Sequence, residues 1–220
     1  MNLSEIRGDS TGKVWRYHIT LDRLESNGER WRARADDGSS AVLHRCEKGT
    51  YWDDEIERMR VAIELGREPA AERCSTIRQL LDVHETEPQT VVGVMVPGVL
   101  VEICEWADYG LNEWLRREDR GAGAAIVEEV AANVAAALDV LHGLGVVHCD
   151  VAPNNILLVD GTWKLADLDS CVPIGEQVVR GPIVERQRYQ HPDRRKGPAT
   201  ARIEFDTWGL EQVLAKLEES

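Results

Sequence analysis

At 220 residues and 24.7 kDa, with 43 % hydrophobic residues, the chain can bury a core in one large domain or two small lobes, which excludes a disordered tail and a collagen-like fibre. Asp and Glu number 39 against 26 Lys and Arg, a formal charge of −13 that disfavours nucleic acid or an anionic membrane as a partner. The longest uncharged stretch, 88–101, is too short to cross a bilayer and is broken by Gly93, Pro97 and Gly98. The opening Met-Asn-Leu-Ser-Glu-Ile-Arg has neither a basic nor an apolar leader region, so a cytoplasmic location is expected. Five cysteines, odd in number and without C-x-x-C, argue against a disulfide framework and against structural zinc.

In chain order, VWRYHI from Val14, WRARA from Trp31 and SAVLHRC from Ser40 read as antiparallel strands separated by turn residues, Asp36-Asp37-Gly38 among them. Ile56, Met59 and Ile63 at helical spacing predict one helix over Tyr51–Leu65. VVGVMV and VLVEIC flank Pro97-Gly98, a hairpin signal. After Glu105 the pattern turns helical, most clearly over Ala122–Leu141, where Ile126, Val130, Val134, Leu138 and Leu141 recur every three or four residues before Gly143 and Gly145. Short apolar runs follow at 146–147, 156–159 and 163–168, and a last helix is predicted over Phe205–Leu217. The division expected is a β-rich lobe over 1–105 and a helix-rich lobe over 106–220.

Between the long helix and the next apolar run stands His148-Cys149-Asp150-Val151-Ala152-Pro153-Asn154-Asn155, with Asp167-Leu168-Asp169 beginning twelve residues after Asn155. The segment resembles the protein kinases, whose catalytic loop reads H-R-D-x-x-x-x-N and whose metal-binding loop reads D-F-G. Other stretches follow in that family's order. Tyr189–Asp193 is similar to its A-P-E region, and Asp206-Thr207-Trp208-Gly209 to the start of its buried central helix. Glu105-Trp106-Ala107 looks like the segment joining the lobes, and Glu55 like the glutamate of the small lobe's helix.

The resemblance implies an α+β, protein kinase-like bilobal fold: a small antiparallel sheet with one helix, then a shortened helical lobe. It also implies roles. Asp150 would orient the attacking hydroxyl, Asn155 and Asp167 would hold Mg²⁺ on ATP, and His148 would be structural. Gly12 and Val14, in Gly8-Asp9-Ser10-Thr11-Gly12-Lys13-Val14, are what remains of a glycine-rich loop, with Arg7 and Asp9 where its first two glycines belong. A plain hairpin turn explains the same residues. A Walker A loop does not, because the spacing is one residue short and Val14 replaces the hydroxyl.

Several positions depart from the pattern. The strand lysine falls on His44, with Arg45 as the alternative register, and Lys13 and Lys48 are the nearest lysines. Cys149 replaces the arginine that grips a phosphorylated segment, and only Ser170 and Tyr189 carry hydroxyls between Leu168 and Asp193, so no switching by phosphorylation is expected there. Asp169 stands in place of the glycine of D-F-G, as a third ligand or a turn residue. Ala152 and Asn154 leave the acceptor class open. The sequence stops soon after the Asp206 helix, which implies apolar surface left for a partner protein.

Three functions follow: an ATP- and Mg²⁺-dependent Ser/Thr kinase acting on protein substrates, a small-molecule phosphotransferase, and a pseudokinase that binds without transfer. Tyr189–Asp193 and the Asp206 helix favour the first over the second.

Overall fold

Alternating burial builds the first sheet. In a computed structural model of the chain, describing residues 3–18, 24, 30–48, 60–65, 74–92, 94–117, 123–178 and 184–219, eight strands occupy the first part. They are β1 (Leu3–Arg7), β2 (Val14–His18), β3 (Arg30–Ala35), β4 (Ser40–Glu47), β5 (Leu80–Thr86), β6 (Gln89–Val91), β7 (Val94–Val96) and β8 (Val99–Glu105). Six of them form one antiparallel sheet in the order β1-β2-β3-β4-β8-β5. Because successive side chains point to opposite faces, Trp15, Trp31, Leu43, Val101 and Ile103 share one buried cluster, while Cys46, Val83 and Leu100 meet Ile63 in another.

Three features of this region differ from the sequence expectation. β1 and β5 were not expected, and Pro97-Gly98 is not a hairpin turn. β6 and β7 form their own short hairpin, and β8 runs back between β4 and β5. Gly98 is there for close packing instead: a Cβ at this residue would sit 2.4 Å from the Thr86 carbonyl oxygen. Of the helix expected over 51–65, residues 60–65 are described and are helical; Glu55 lies outside the described residues.

The turn between β1 and β2 closes on a carboxylate. Asp82, 4 % exposed on β5, accepts hydrogen bonds from the Ser10 amide (2.9 Å), the Thr11 amide (3.0 Å), the Thr11 hydroxyl and the Val83 amide (2.8 Å). Gly8 permits this approach, since a Cβ there would lie 2.0 Å from Asp82 Oδ2. Burial pushes the Asp82 carboxyl up, but the four donors outweigh it and hold the group below its ordinary range. Its stabilisation is therefore complete above that range and lost as pH falls through the depressed value. Asp82→Asn is expected to cost about 1–3 kcal/mol at pH 7. In urea unfolding the deficit should begin to shrink below about pH 4, where the carboxyl of the unfolded chain protonates, and vanish once pH has fallen through the lower native value; a pH-independent deficit would contradict the assignment.

The chain divides into two compact units, residues 1–67 with 79–106 and residues 68–78 with 107–220. The boundary read at 105/106 thus falls at 106/107, and 68–78 joins the second unit instead of the first. Backbone bonding explains the transfer. Leu165 donates to Thr76 O (2.8 Å), Arg78 donates to Leu165 O (2.8 Å), and Ile77 bridges Leu165 in parallel.

In the second unit, β9 (Tyr109–Gly110) leads into α1 (Leu111–Arg117) and then α2 (Ala124–Gly143), which buries Val130, Val134, Ala137, Leu138 and Leu141 on one face. Gly145, at φ +80°, turns the chain from α2 into β10 (Val146–Val147). β11 (Ile156–Val159) and β12 (Thr162–Leu165) form a hairpin whose two turn residues, Asp160 and Gly161, both have positive φ (48° and 78°). β13 (Val172–Pro173) pairs with β10, and β14 (Gln177–Val178) with β15 (Ala199–Thr200). α3 (Glu204–Glu218) closes the unit with Phe205, Asp206, Gly209, Val213 and Leu217 buried. Among the described residues no helix is long and apolar enough to cross a membrane.

Candidate active site

The loop from His148 to Asn155 hangs from one buried carboxylate. Asp206, fully buried in the first turn of α3, accepts from the amides of His148 and Cys149 (both 2.8 Å) and lies 2.9 Å from His142 Nε2. The backbone between Val147 and Asp150 is thereby fixed to the helix. His148 is itself 0 % exposed. Its Nδ1 accepts from the Asp150 amide (3.2 Å), so the ring proton resides on Nε2, which donates to the Ala166 carbonyl (2.9 Å). The imidazole is a strut between two loops, the structural role expected of it.

Asp150, 8 % exposed, is tied to Asn155: Nδ2 of Asn155 donates to the Asp150 carbonyl (2.8 Å) and to Oδ2 of its carboxylate (3.0 Å). With Nδ2 engaged there, the other polar atom of the Asn155 amide is Oδ1, an acceptor. The β11–β12 hairpin brings the third residue in. Ile156 pairs with Leu165, and the Ala166 amide donates to the Asn155 carbonyl (2.8 Å), so Asp167 emerges beside Asn155. Asp167 adopts a left-handed backbone, φ 72°, uncommon for a residue with a side chain. The Ser170 hydroxyl fixes that bend by reaching the carbonyls of Asp167 (2.9 Å) and His148 (2.8 Å). The backbone thus sets Asp167 next to Ala166, the residue bonded to Asn155, while the Asn155 side chain holds Asp150. An amide oxygen beside a carboxylate is a donor set suited to a hard cation that takes its other oxygens from phosphate and water. Asp169 is buried in the 3-10 turn Leu168–Ser170.

Residues 53–219, more than half of the sequence, match the protein kinase domain. The chain belongs to the protein kinase family. It is 36 % identical over 111 residues to a cyclin-dependent kinase 4 homolog of Caenorhabditis elegans, covering 50 % of this chain and 26 % of that kinase. It is 25 % identical over 150 residues to the MAPK/MAK/MRK overlapping kinase of Mus musculus, covering 68 % and 34 %. Serine/threonine-protein kinase PksC of Streptomyces coelicolor is 26 % identical over 144 residues, 60 % and 26 % of the two chains. The chain thus spans about a quarter to a third of the length of these curated relatives.

The other residues singled out from the sequence lie in the first unit, except Ala107, which falls in the second. His44, on β4, faces Glu102 of β8, Nδ1 to Oε2 3.3 Å. Strand alternation puts His44 on the face of Cys46 and Ile63, and Arg45 on the face of Leu43, so the two registers read from the sequence point to opposite sides of the sheet. Lys13 pairs with Asp37 (2.7 Å), and Lys48 with Glu85 (2.7 Å) and Glu87 (2.5 Å). Gly12, at φ +69°, and Val14 sit at the β1–β2 turn whose amides serve Asp82, and β3 separates their strand from β4. The structure does not bring them to His44. Glu105 accepts from the Gln79 amide (2.9 Å), Trp106 lies under the Arg32 guanidinium at 4.2 Å, and Ala107 begins the second unit.

Asp82, His142 and Arg194 were not read from the sequence as parts of any site. Asp206 was read as a helix start without its hydrogen-bonding role. Burial pushes the Cys149 thiol up to about 12 and the Cys171 thiol well above its ordinary value, with the Asp206 carboxylate adding to both, so each stands as a protonated, weakly reactive core group.

Proposed function

We propose that the chain transfers the γ-phosphoryl group of ATP to a serine or threonine hydroxyl of a protein substrate. The observation that carries the reading is the Asp150–Asn155–Asp167 arrangement, held by Asp206, His148 and Ser170. Phosphoryl transfer asks a protein chiefly for positioning and charge neutralisation, and three oxygen-bearing side chains on braced backbone suit that task. Asp150 accepts a hydrogen bond from the attacking hydroxyl and takes up its proton. Asn155 Oδ1 and the Asp167 carboxylate would hold Mg²⁺, which would supply charge neutralisation at the transferring phosphate. The serine or threonine preference draws on the relative named a serine/threonine-protein kinase.

A second reading, a scaffold that binds without transfer, is favoured by one observation: His44, not lysine, stands at the strand position, already engaged with Glu102. Labelled ATP with Mg²⁺ and generic protein acceptors separates the two. Incorporation of label that stops when Mg²⁺ is chelated is expected; no incorporation would favour the scaffold.

A further inference from the structure

We propose that Arg194 is a positioning residue that pins the Cys149–Asp150 peptide, so that the catalytic loop is held without a phosphate. The consequence for catalysis rests on the kinase reading; the geometry does not.

Arg194 opens the 3-10 turn Arg194–Lys196 and is only 7 % exposed, rare burial for a guanidinium. Its Nη1 donates to the Cys149 carbonyl, and its guanidinium carbon lies 5.9 Å from the Phe205 ring centroid. That carbonyl belongs to the peptide whose N–H, on Asp150, is held by His148 Nδ1. Both ends of the peptide are thus fixed, and with them the direction in which the Asp150 side chain leaves the backbone. The restraint is needed because Cys149 is left-handed, φ 67°, a conformation that a non-glycine residue keeps only when its surroundings impose it. The segment carrying Arg194 is anchored in turn. Asp193 pairs with Arg202, His191 lies 5.3 Å from Phe205 and 5.7 Å from Trp208, and Arg195 Nε donates to Gln190 O (2.9 Å).

The cation therefore comes from the segment, not from the loop, and its acceptor is a permanent backbone carbonyl. A thiol at residue 149 cannot hold an added phosphate, and the buried Ser170 hydroxyl is committed to the carbonyls of His148 and Asp167. Adding or removing phosphate gives this contact nothing to respond to.

Arg194→Met and Arg194→Lys in the full chain test the assignment by two readouts. The methionine variant should lower kcat about a hundredfold with KM for ATP within about twofold, since small displacements of a catalytic group cost rate more than binding, and lysine should recover at least about tenfold. Phosphatase treatment of the unmodified chain should leave kcat unchanged. The second readout needs no activity: the maleimide labelling rate of Cys149 relative to Cys74, a buried thiol of the same unit, followed by peptide mass spectrometry. Local loosening in the methionine variant should raise the Cys149 rate about tenfold and leave Cys74 unchanged. An unchanged kcat, an unchanged Cys149 rate, an equal rise at both thiols, or activity that depends on phosphate would overturn the proposal. Should the unmodified chain transfer no phosphate, the kinase reading falls and the thiol readout alone decides whether Arg194 pins the loop.

Discussion

Asp150→Asn is expected to lower phosphate transfer by about 10²–10⁴-fold, the range contributed by a positioned general base. The substitution changes almost nothing else. Asparagine has the same shape, and its amide oxygen can still accept the Asn155 Nδ2 hydrogen bond now made to Oδ2. The Asp150 backbone remains held through its amide by His148 and through its carbonyl by Asn155. Thermal unfolding should therefore move by less than about 2 °C, consistent with a change under roughly 0.5 kcal/mol in a chain of this size. A variant that transfers as fast as the parent would remove Asp150 from the reaction; one that unfolds far earlier would make it a structural residue.

Asp206→Ala should produce the largest loss of stability. Its carboxylate is fully buried and answers two buried backbone amides, which have no water to turn to when the acceptor is removed, and the partly exposed His142. Deleting one partner of such a buried network costs about 3–5 kcal/mol, far more than the net value of the bonds themselves. At about 2–4 °C per kcal/mol the midpoint should fall by roughly 6–20 °C. Glu211→Ala, exposed on the same helix, should change stability by less than about 0.5 kcal/mol. Similar midpoints for the two variants would mean that the loop does not depend on Asp206.

What the sequence revealed follows from which forces act locally. α2 and α3 were legible because one face of each is buried at helical spacing, and the ends differed by only one or two residues. The catalytic loop was legible because a short hairpin of fixed register sets the interval between Asn155 and Asp167, so the spacing records the geometry. β1 was not, since Leu-Ser-Glu-Ile-Arg mixes charge with apolar residues and only Ile6 is described as buried in the core. In β5 the buried Asp82 conceals the strand pattern, because its burial is made tolerable by amides from a turn more than seventy residues away. In the run Arg194-Arg195-Lys196 nothing in the sequence sets the first cation apart from the other two. Only the fold reveals that its first member is buried against the catalytic loop.

Phosphoryl transfer at this site requires Asn155 and Asp167 to share one divalent cation with the phosphates of ATP. Anomalous diffraction at the manganese edge, from crystals grown with Mn²⁺ and a non-hydrolysable ATP analogue, tests this most directly. The predicted result is a single strong peak about 2.1 Å from both Asn155 Oδ1 and an Asp167 carboxylate oxygen, a distance typical of small hard cations. A nucleotide bound with its metal away from these two side chains, or no metal peak in the presence of bound nucleotide, would contradict it.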